Sequence, residues 1–313
     1  HPGRDRHRGR VWKISYKPTE QRRDAGADAP PLKPLQARSA DELFSVLASP
    51  DQTQRAVATD RLVDTFPVAA AALATDGLSH DSDFVRAHSM WILQRLNRLS
   101  ERDLVAAAAD ETELVRIHAY RVMLDGAPLT APLQETLSAG LQDLSPLVRR
   151  VAVHVAAQHP NPKMIGQLMD MFHKTPTNDV HLRHSIRMAI RNLLRDSTLM
   201  KQVAAAIHPD DVKLIAGICL GLSTPEAGEF LVKNLRSLSS ADPAVFAEYI
   251  KFAVRHVSAD TVAEITSIAR ERFPSNASLQ LSLLQAWREG FRQRGSQLPP
   301  VIKAWATDVA GRF

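Results

Sequence analysis

Ser82-Asp83-Phe84-Val85-Arg86-Ala87-His88-Ser89 is the stretch that decides the fold, because the chain returns to it. Leu114-Val115-Arg116-Ile117-His118-Ala119 repeats it, and so does Pro146-Leu147-Val148-Arg149-Arg150-Val151-Ala152. With Arg55 before and Arg183 after, an arginine recurs every 30 to 34 residues. One position ahead of these arginines stand Gln54, Val85, Val115, Val148 and Leu182. Three positions after stand Ala58, Ser89, Ala119, Ala152 and Ile186; seven after stand Leu62, Leu93, Met123, Ala156 and Ile190. Positions four apart share one helix face, and the arginine sits off it. A repeat of this length marks a helical solenoid, whose units bury their apolar stripes only by stacking. Small residues at the third position let neighbouring helices approach to about 8–10 Å.

Working outward, the spacing predicts an all-α, right-handed superhelix of about eight helix pairs. The pairs fall at 40–48 and 52–65, 67–78 and 83–97, 101–109 and 112–124, and 130–142 and 146–158. They continue at 161–173 and 178–195, 197–207 and 210–222, 225–238 and 243–257, and 259–272 and 276–293. A last helix at 298–310 caps the array. The breaks coincide with Pro50, Pro128, Pro176, Pro209 and Pro274, and Pro146 suits a first helical turn. Ser39 with Glu42 three residues later forms a capping box that opens the array. The arginine becomes Lys213 in the sixth pair and is lost at Phe246 and Gln280 in the last two, as terminal repeats often are atypical.

The first 38 residues are different. Val11-Trp12-Lys13-Ile14-Ser15-Tyr16 alternates with period two and reads as one strand. A lone strand has no ladder partner, so residues 1–16 are expected to close a sheet domain lying upstream. His1-Pro2-Gly3 reads as a cut inside a longer chain. Residues 17–38, with Pro18, Pro30, Pro31 and Pro34, read as a linker, and 39–313 as the solenoid.

Composition agrees with packed helices. Of 313 residues 44% are apolar, 23% charged and only 5% aromatic. The net charge of +5 is concentrated in the first 23 residues, leaving the body close to neutral. That weakens any argument for nucleic-acid binding from overall charge. Cys219 is the only cysteine, which excludes an internal disulfide and a cysteine-based metal or haem site. No apolar run reaches the roughly 18 residues of a membrane span.

The Val-Arg-small units resemble HEAT repeats over about residues 40–293, most specifically in the first five pairs. The resemblance implies an α-α superhelix with the second helices lining its concave side, and no single activity. The N-terminal segment Gly9-Arg10-Val11-Trp12-Lys13-Ile14 resembles the closing strand of a sugar-dehydrogenase-like propeller. Propeller end, proline linker and HEAT region together resemble the membrane-bound dehydrogenase proteins of planctomycetes and verrucomicrobia, which often also carry a cytochrome c module with a Cys-x-x-Cys-His motif. That resemblance implies an exported parent protein whose chemistry lies outside this chain.

Within the chain no phosphate-cradling loop, nucleophile elbow or paired carboxylates stand out, so no catalytic residue and no cofactor is expected. The repeated arginines Arg55, Arg86, Arg116, Arg149 and Arg183 are expected to form a structural ladder. Their partners would be acidic or carbonyl groups in their own or the next repeat, with Asp51, Asp83, Glu113 and Asp179 within reach. Each exposed pair contributes only a few tenths of a kcal/mol. Arg183, Arg187, Arg191 and Arg195 recur every four residues, and Arg149, Arg150, His154 and His184 add to them. This is the candidate basic groove, suited to phosphate, nucleic acid or an acidic protein. His181 and His184 have metal-ligand spacing but lack a third ligand, so no metal site is expected. Trp91, Trp287 and Trp305 fall on core positions. The sequence thus points to a non-catalytic scaffold, partnered by other domains of the same polypeptide or by another protein. The alternative is a nucleic-acid-binding HEAT-like protein of the alkylpurine DNA glycosylase kind.

Overall fold

The computed structural model describes residues 34–240, 242–256, 261–293 and 295–312. The strand expected at 11–16 and most of the linker lie outside them. Among the described residues there are 17 α-helices and no strand. The chain is an α-α solenoid.

The helices pair as the repeat demands. The first three pairs are α1 (Ala40–Val46) with α2 (Gln52–Thr65), α3 (Pro67–Gly77) with α4 (Asp83–Arg95), and α5 (Glu101–Ala108) with α6 (Glu113–Asp125). Next come α7 (Ala131–Gly140) with α8 (Pro146–Gln158), and α9 (Ile165–Lys174) with α10 (Val180–Leu193). The later helices keep the order of the repeat as α11 (Ser197–Ala206) and α12 (Val212–Cys219), α13 (Pro225–Asn234) with α14 (Pro243–His256), and α15 (Thr261–Arg272) with α16 (Ala277–Gln293), but α11 and α12 pack on α13 rather than on each other. The last helix, α17, spans Pro300–Ala310.

Local chemistry sets the boundaries. The capping box at α1 is present: Ser39 N donates to Glu42 Oε2 at 2.6 Å, and Glu42 N to Ser39 Oγ at 3.3 Å. Proline occupies the first turn of α3, α7, α8, α13 and α17, where its missing N–H costs nothing. Elsewhere prolines shorten helices relative to the sequence expectation. Pro162–Met164 and Pro209–Asp211 are single 3-10 turns, so α9 begins only at Ile165 and α12, beginning at Val212, is only 8 residues long.

Packing distinguishes the two rows of helices. From α4 to α10 the second helices pack on one another more closely than the first helices of the same pairs do. These second helices therefore form one continuous packed row. The core runs in two bodies, one from α1 to α4 and one from α4 onward, with α4 contributing to both. Close approach needs glycine at two points. A Cβ on Gly77 would press into Phe44 and Ser89, and one on Gly140 into the Tyr120 ring. Trp287 and Trp305 are buried against each other edge to face, centroids 5.7 Å apart, inside the last repeat. Cys219 is buried at the end of α12, and burial pushes its thiol up to about 12.

Candidate functional site

The loop inside each pair is built around the arginine that follows it. Nη1 of Arg55, Arg86, Arg116 and Arg149 donates to the carbonyl six residues back: Ser49 (2.6 Å), His80 (2.8 Å), Asp110 (2.8 Å) and Asp143 (2.7 Å). The side chain of that same loop residue accepts the backbone N–H two residues on. Ser49 Oγ takes Asp51 N at 3.2 Å, His80 Nδ1 takes Ser82 N at 2.9 Å, Asp110 Oδ1 takes Thr112 N at 2.8 Å, and Asp143 Oδ1 takes Ser145 N at 2.8 Å. The turn is therefore satisfied from both ends, as buried backbone groups require.

The arginines then reach across to the next repeat. Arg86 grips Asp110 through Nε and Nη2, both at 2.9 Å, and Arg116 grips Asp143 at 2.8 and 3.1 Å. These two-pronged pairs are mostly shielded from solvent, where such geometry is strongest. The Asp110 bond raises the Arg86 pKa and the Asp143 bond raises that of Arg116. Burial alone would raise the Asp110 carboxyl, yet the bonds from Arg86 and Thr112 hold it below its usual range. Three of the acids that stand three or four residues ahead of the arginines are occupied otherwise. Asp51 caps Thr53 N and Gln54 N, Asp83 accepts from Phe84 N, and Asp179 caps Leu182 N.

At both ends the ladder changes chemistry. The Arg55 guanidinium lies 4.0 Å over the Phe84 ring and donates through Nε to His88 Nε2 at 3.3 Å. Arg183 lies 3.9 Å over Phe172 and donates to the Phe172 and Thr175 carbonyls. Lys213 is exposed. Gln280, where the arginine pattern stops, does the arginine's work: its Nε2 donates to the Phe273 and Pro274 carbonyls, while Oε1 accepts from Trp305 Nε1 at 3.1 Å. Neither this substitution nor the Asp110 and Asp143 acceptors follow from the repeat pattern read along one helix.

Histidines tie second helices together. His88 Nε2 accepts from Arg55, so its proton sits on Nδ1 and is given to Thr59 Oγ1 at 2.8 Å. His118 Nδ1 accepts from Trp91 Nε1 at 2.9 Å, which fixes the opposite tautomer. Burial lowers both pKa values to about 4, with help from Arg55 and Arg121 respectively. His154 meets Ser185 Oγ at 3.1 Å, and burial and Arg150 lower its pKa. His181 and His184 are exposed. Among the described residues no group of three or more His, Cys, Asp or Glu side chains is placed to hold a metal ion.

The candidate basic residues divide into two places. Arg149 is committed to the loop carbonyls at the start of α8. The others lie along the second helices. Arg150 and His154 are on α8, and His184, Arg187 and Arg191 are on α10, with Arg195 just beyond it. Arg187 donates to the Gly217 carbonyl on α12 at 3.1 Å, and Arg191 lies against Gly221. Any side chain at these two glycines would crowd the arginines. The Arg191 Nε is buried without a hydrogen-bond partner. Arg121, exposed on α6, extends the row. Among the described residues Arg121, Arg150, Arg187, Arg191 and Arg195 form no ion pair, whereas Arg95 on α4 pairs with Asp60 at 2.6 Å and Asp64 at 3.5 Å. Tyr249, buried on α14, feels the Arg187 charge; burial raises its pKa and Arg187 opposes the rise.

No protein-family model matches the sequence, and no curated protein matches it. Among solved structures the chain is similar to a designed armadillo repeat protein in complex with the peptide (KR)4. The two are 20% identical over 81% of this chain and 100% of that one, with a TM-score of 0.32. A likeness at that score carries no argument about this chain, and the fold stands on the helix packing above. No helix among the described residues is long and apolar enough to cross a membrane.

Proposed function

We propose that the solenoid is a non-catalytic scaffold whose second-helix row, from α6 to the end of α10, forms the inner side and holds an acidic segment of a protein partner. One observation carries this reading: among the described residues Arg121, Arg150, Arg187, Arg191 and Arg195 form no ion pair, although the same chain pairs Arg86, Arg95 and Arg116 with carboxylates. Five guanidinium groups on neighbouring helices set up a field that favours an anionic ligand, and arginine forks suit carboxylates.

The test is binding of a labelled glutamate-rich peptide and of duplex DNA of similar length, each titrated with salt. The peptide is expected to bind, and Arg121→Glu with Arg195→Glu, both at exposed positions, to weaken it about tenfold or more. No binding of the peptide would overturn the reading. DNA binding with a steep salt slope would instead favour the glycosylase-like alternative.

On the sequence resemblance alone, residues 1–16 close a propeller-like domain and 17–38 are its linker. The whole is then part of an exported, dehydrogenase-like protein in which the solenoid is a spacer between domains. Sequencing the gene on both sides tests this. A strand-rich region upstream and a Cys-x-x-Cys-His downstream support the reading, and the lack of both sinks it.

A further inference from the structure

Arg149 repeats the anchoring of Arg86 and Arg116 but lacks their pairing. Its Nη1 donates to the Asp143 and Leu144 carbonyls at 2.7 and 3.1 Å, as that of Arg116 does to Asp110 and Glu111 at 2.8 and 3.0 Å. In Arg86 and Arg116 the opposite edge of the guanidinium then grips the carboxylate of the following loop. For Arg149 the residue in that place is Thr175. Its carbonyl accepts from Nη1 of the next arginine, Arg183, at 2.8 Å, the role the Asp143 and Asp110 carbonyls play one and two repeats earlier. The Thr175 hydroxyl is spent on the Met171 carbonyl at 2.7 Å. Among the described residues no carboxylate pairs with Arg149, and neither its Nε nor its Nη2 makes a hydrogen bond to any of them.

Space follows the chemistry. Between α3 and α5, where Asp110 fills the Arg86 fork, the cavity beside them is about 200 Å³. Between α7 and α9, beside Arg149 and Thr175, the equivalent cavity is about 450 Å³. Of its other polar walls, Gln142 is uncharged and the rest are already engaged. Gln167 is bonded to Ser138, and Lys174 to Asp170 at 2.7 Å, which leaves the Arg149 charge uncompensated. The nearby loop and the first turns of α8 and α10 expose Leu144 (96%), Leu147 (45%) and Val180 (62%). That is apolar surface which a polypeptide covers and a free small acid does not.

We propose that this cavity binds an acidic side chain of a protein partner, held by Arg149 in the two-pronged way that Asp110 and Asp143 are held within the chain. The site lies among the first helices and the loop edge, apart from the inner-row arginines, and does not rest on the reading given for them.

The experiment uses the full chain and a labelled peptide, Ser-Leu-Asp-Leu-Ser with both ends blocked, followed by fluorescence polarisation. Two control peptides carry Asn in place of Asp, one with blocked ends and one with a free C-terminal carboxylate. The Asp peptide is expected to saturate in the millimolar range and the blocked Asn peptide not to bind. Arg149→Met should weaken the Asp peptide about tenfold or more. Thr175→Asp should do the same by filling the fork from within, and should raise the Tm. Thr175→Asn, similar in size but uncharged, should leave binding in place. Equal binding of the blocked peptides, or binding that survives Arg149→Met, overturns the proposal. Binding of the free-terminus peptide alone would assign the cavity to a chain end and overturn the side-chain assignment. Should Thr175→Asp fail to fold, Arg149→Met together with Arg149→Lys, which keeps the charge but loses the fork, decides the matter.

Discussion

His88 and His118 accept hydrogen bonds from groups that never give up their protons, a guanidinium and an indole. Burial, joined by the Arg55 charge at His88 and the Arg121 charge at His118, lowers both pKa values to about 4, and protonating either ring also breaks such a bond. A folded-state pKa below the unfolded value means that the unfolded chain binds more protons between the two. Stability is therefore expected to be full above about pH 6.5 and to fall as pH drops toward 4. Asp110, held below its usual range, adds a further loss at still lower pH. Chemical denaturation of wild type and of His88→Asn/His118→Asn across this window checks the sign, and the double variant should show a flatter profile. The ladder gives a second outcome at this scale. Arg116→Met leaves the largely shielded Asp143 carboxylate without its partner and is expected to cost roughly 2–4 kcal/mol. Adding Asp143→Leu should recover part of that, and simple additivity in the double-mutant cycle would show the pair to be energetically uncoupled.

Helix elements were the most legible part of the sequence, and the reason is local. Pro146, Pro225 and Pro300 sit in first turns, Ser39 and Glu42 cap each other, and the four-residue spacing of mostly apolar positions runs through the first five pairs. What the sequence hid lies between elements. The acceptors of Arg86 and Arg116 stand 24 and 27 residues away, in loops whose carboxylates look like ordinary turn residues. Gln280 breaks the arginine pattern in letters while keeping its hydrogen bonds. The candidate groove was legible as a stripe on one helix, but not the division between Arg149, which belongs to a loop, and Arg187 and Arg191, which lean on the next repeat. Glycines offer a sharp test of packing at this scale. Gly77→Ala and Gly140→Ala force a Cβ into neighbouring side chains, and each is expected to destabilise by about 1–3 kcal/mol. Gly166→Ala, in α9 with open space around it, is expected to stabilise by about 0.5–1 kcal/mol. Thermal melts of the three variants check the contrast, and equal effects would mean that the helices do not meet at Gly77 and Gly140 as described.

At the scale of the whole molecule, a solenoid is held by neighbours touching neighbours, so its stability need not be uniform along its length. The second-helix row is tight from α4 to α10 and again between α14 and α16, but α12 between them is short. Cys219 closes that short helix, and it is the only cysteine of the chain. Being covered and held protonated, it cannot react with an alkylating reagent while the repeat is shut. Every labelling event then records one opening of this repeat, and the thiol acts as a clock built into the middle of the array. Labelling at low denaturant should run ahead of global unfolding. If the two rates coincide, the array opens as one body. If labelling leads, a bound partner that bridges α10 to α14 should slow the clock, so that occupancy of the scaffold is read out from a single sulfur atom.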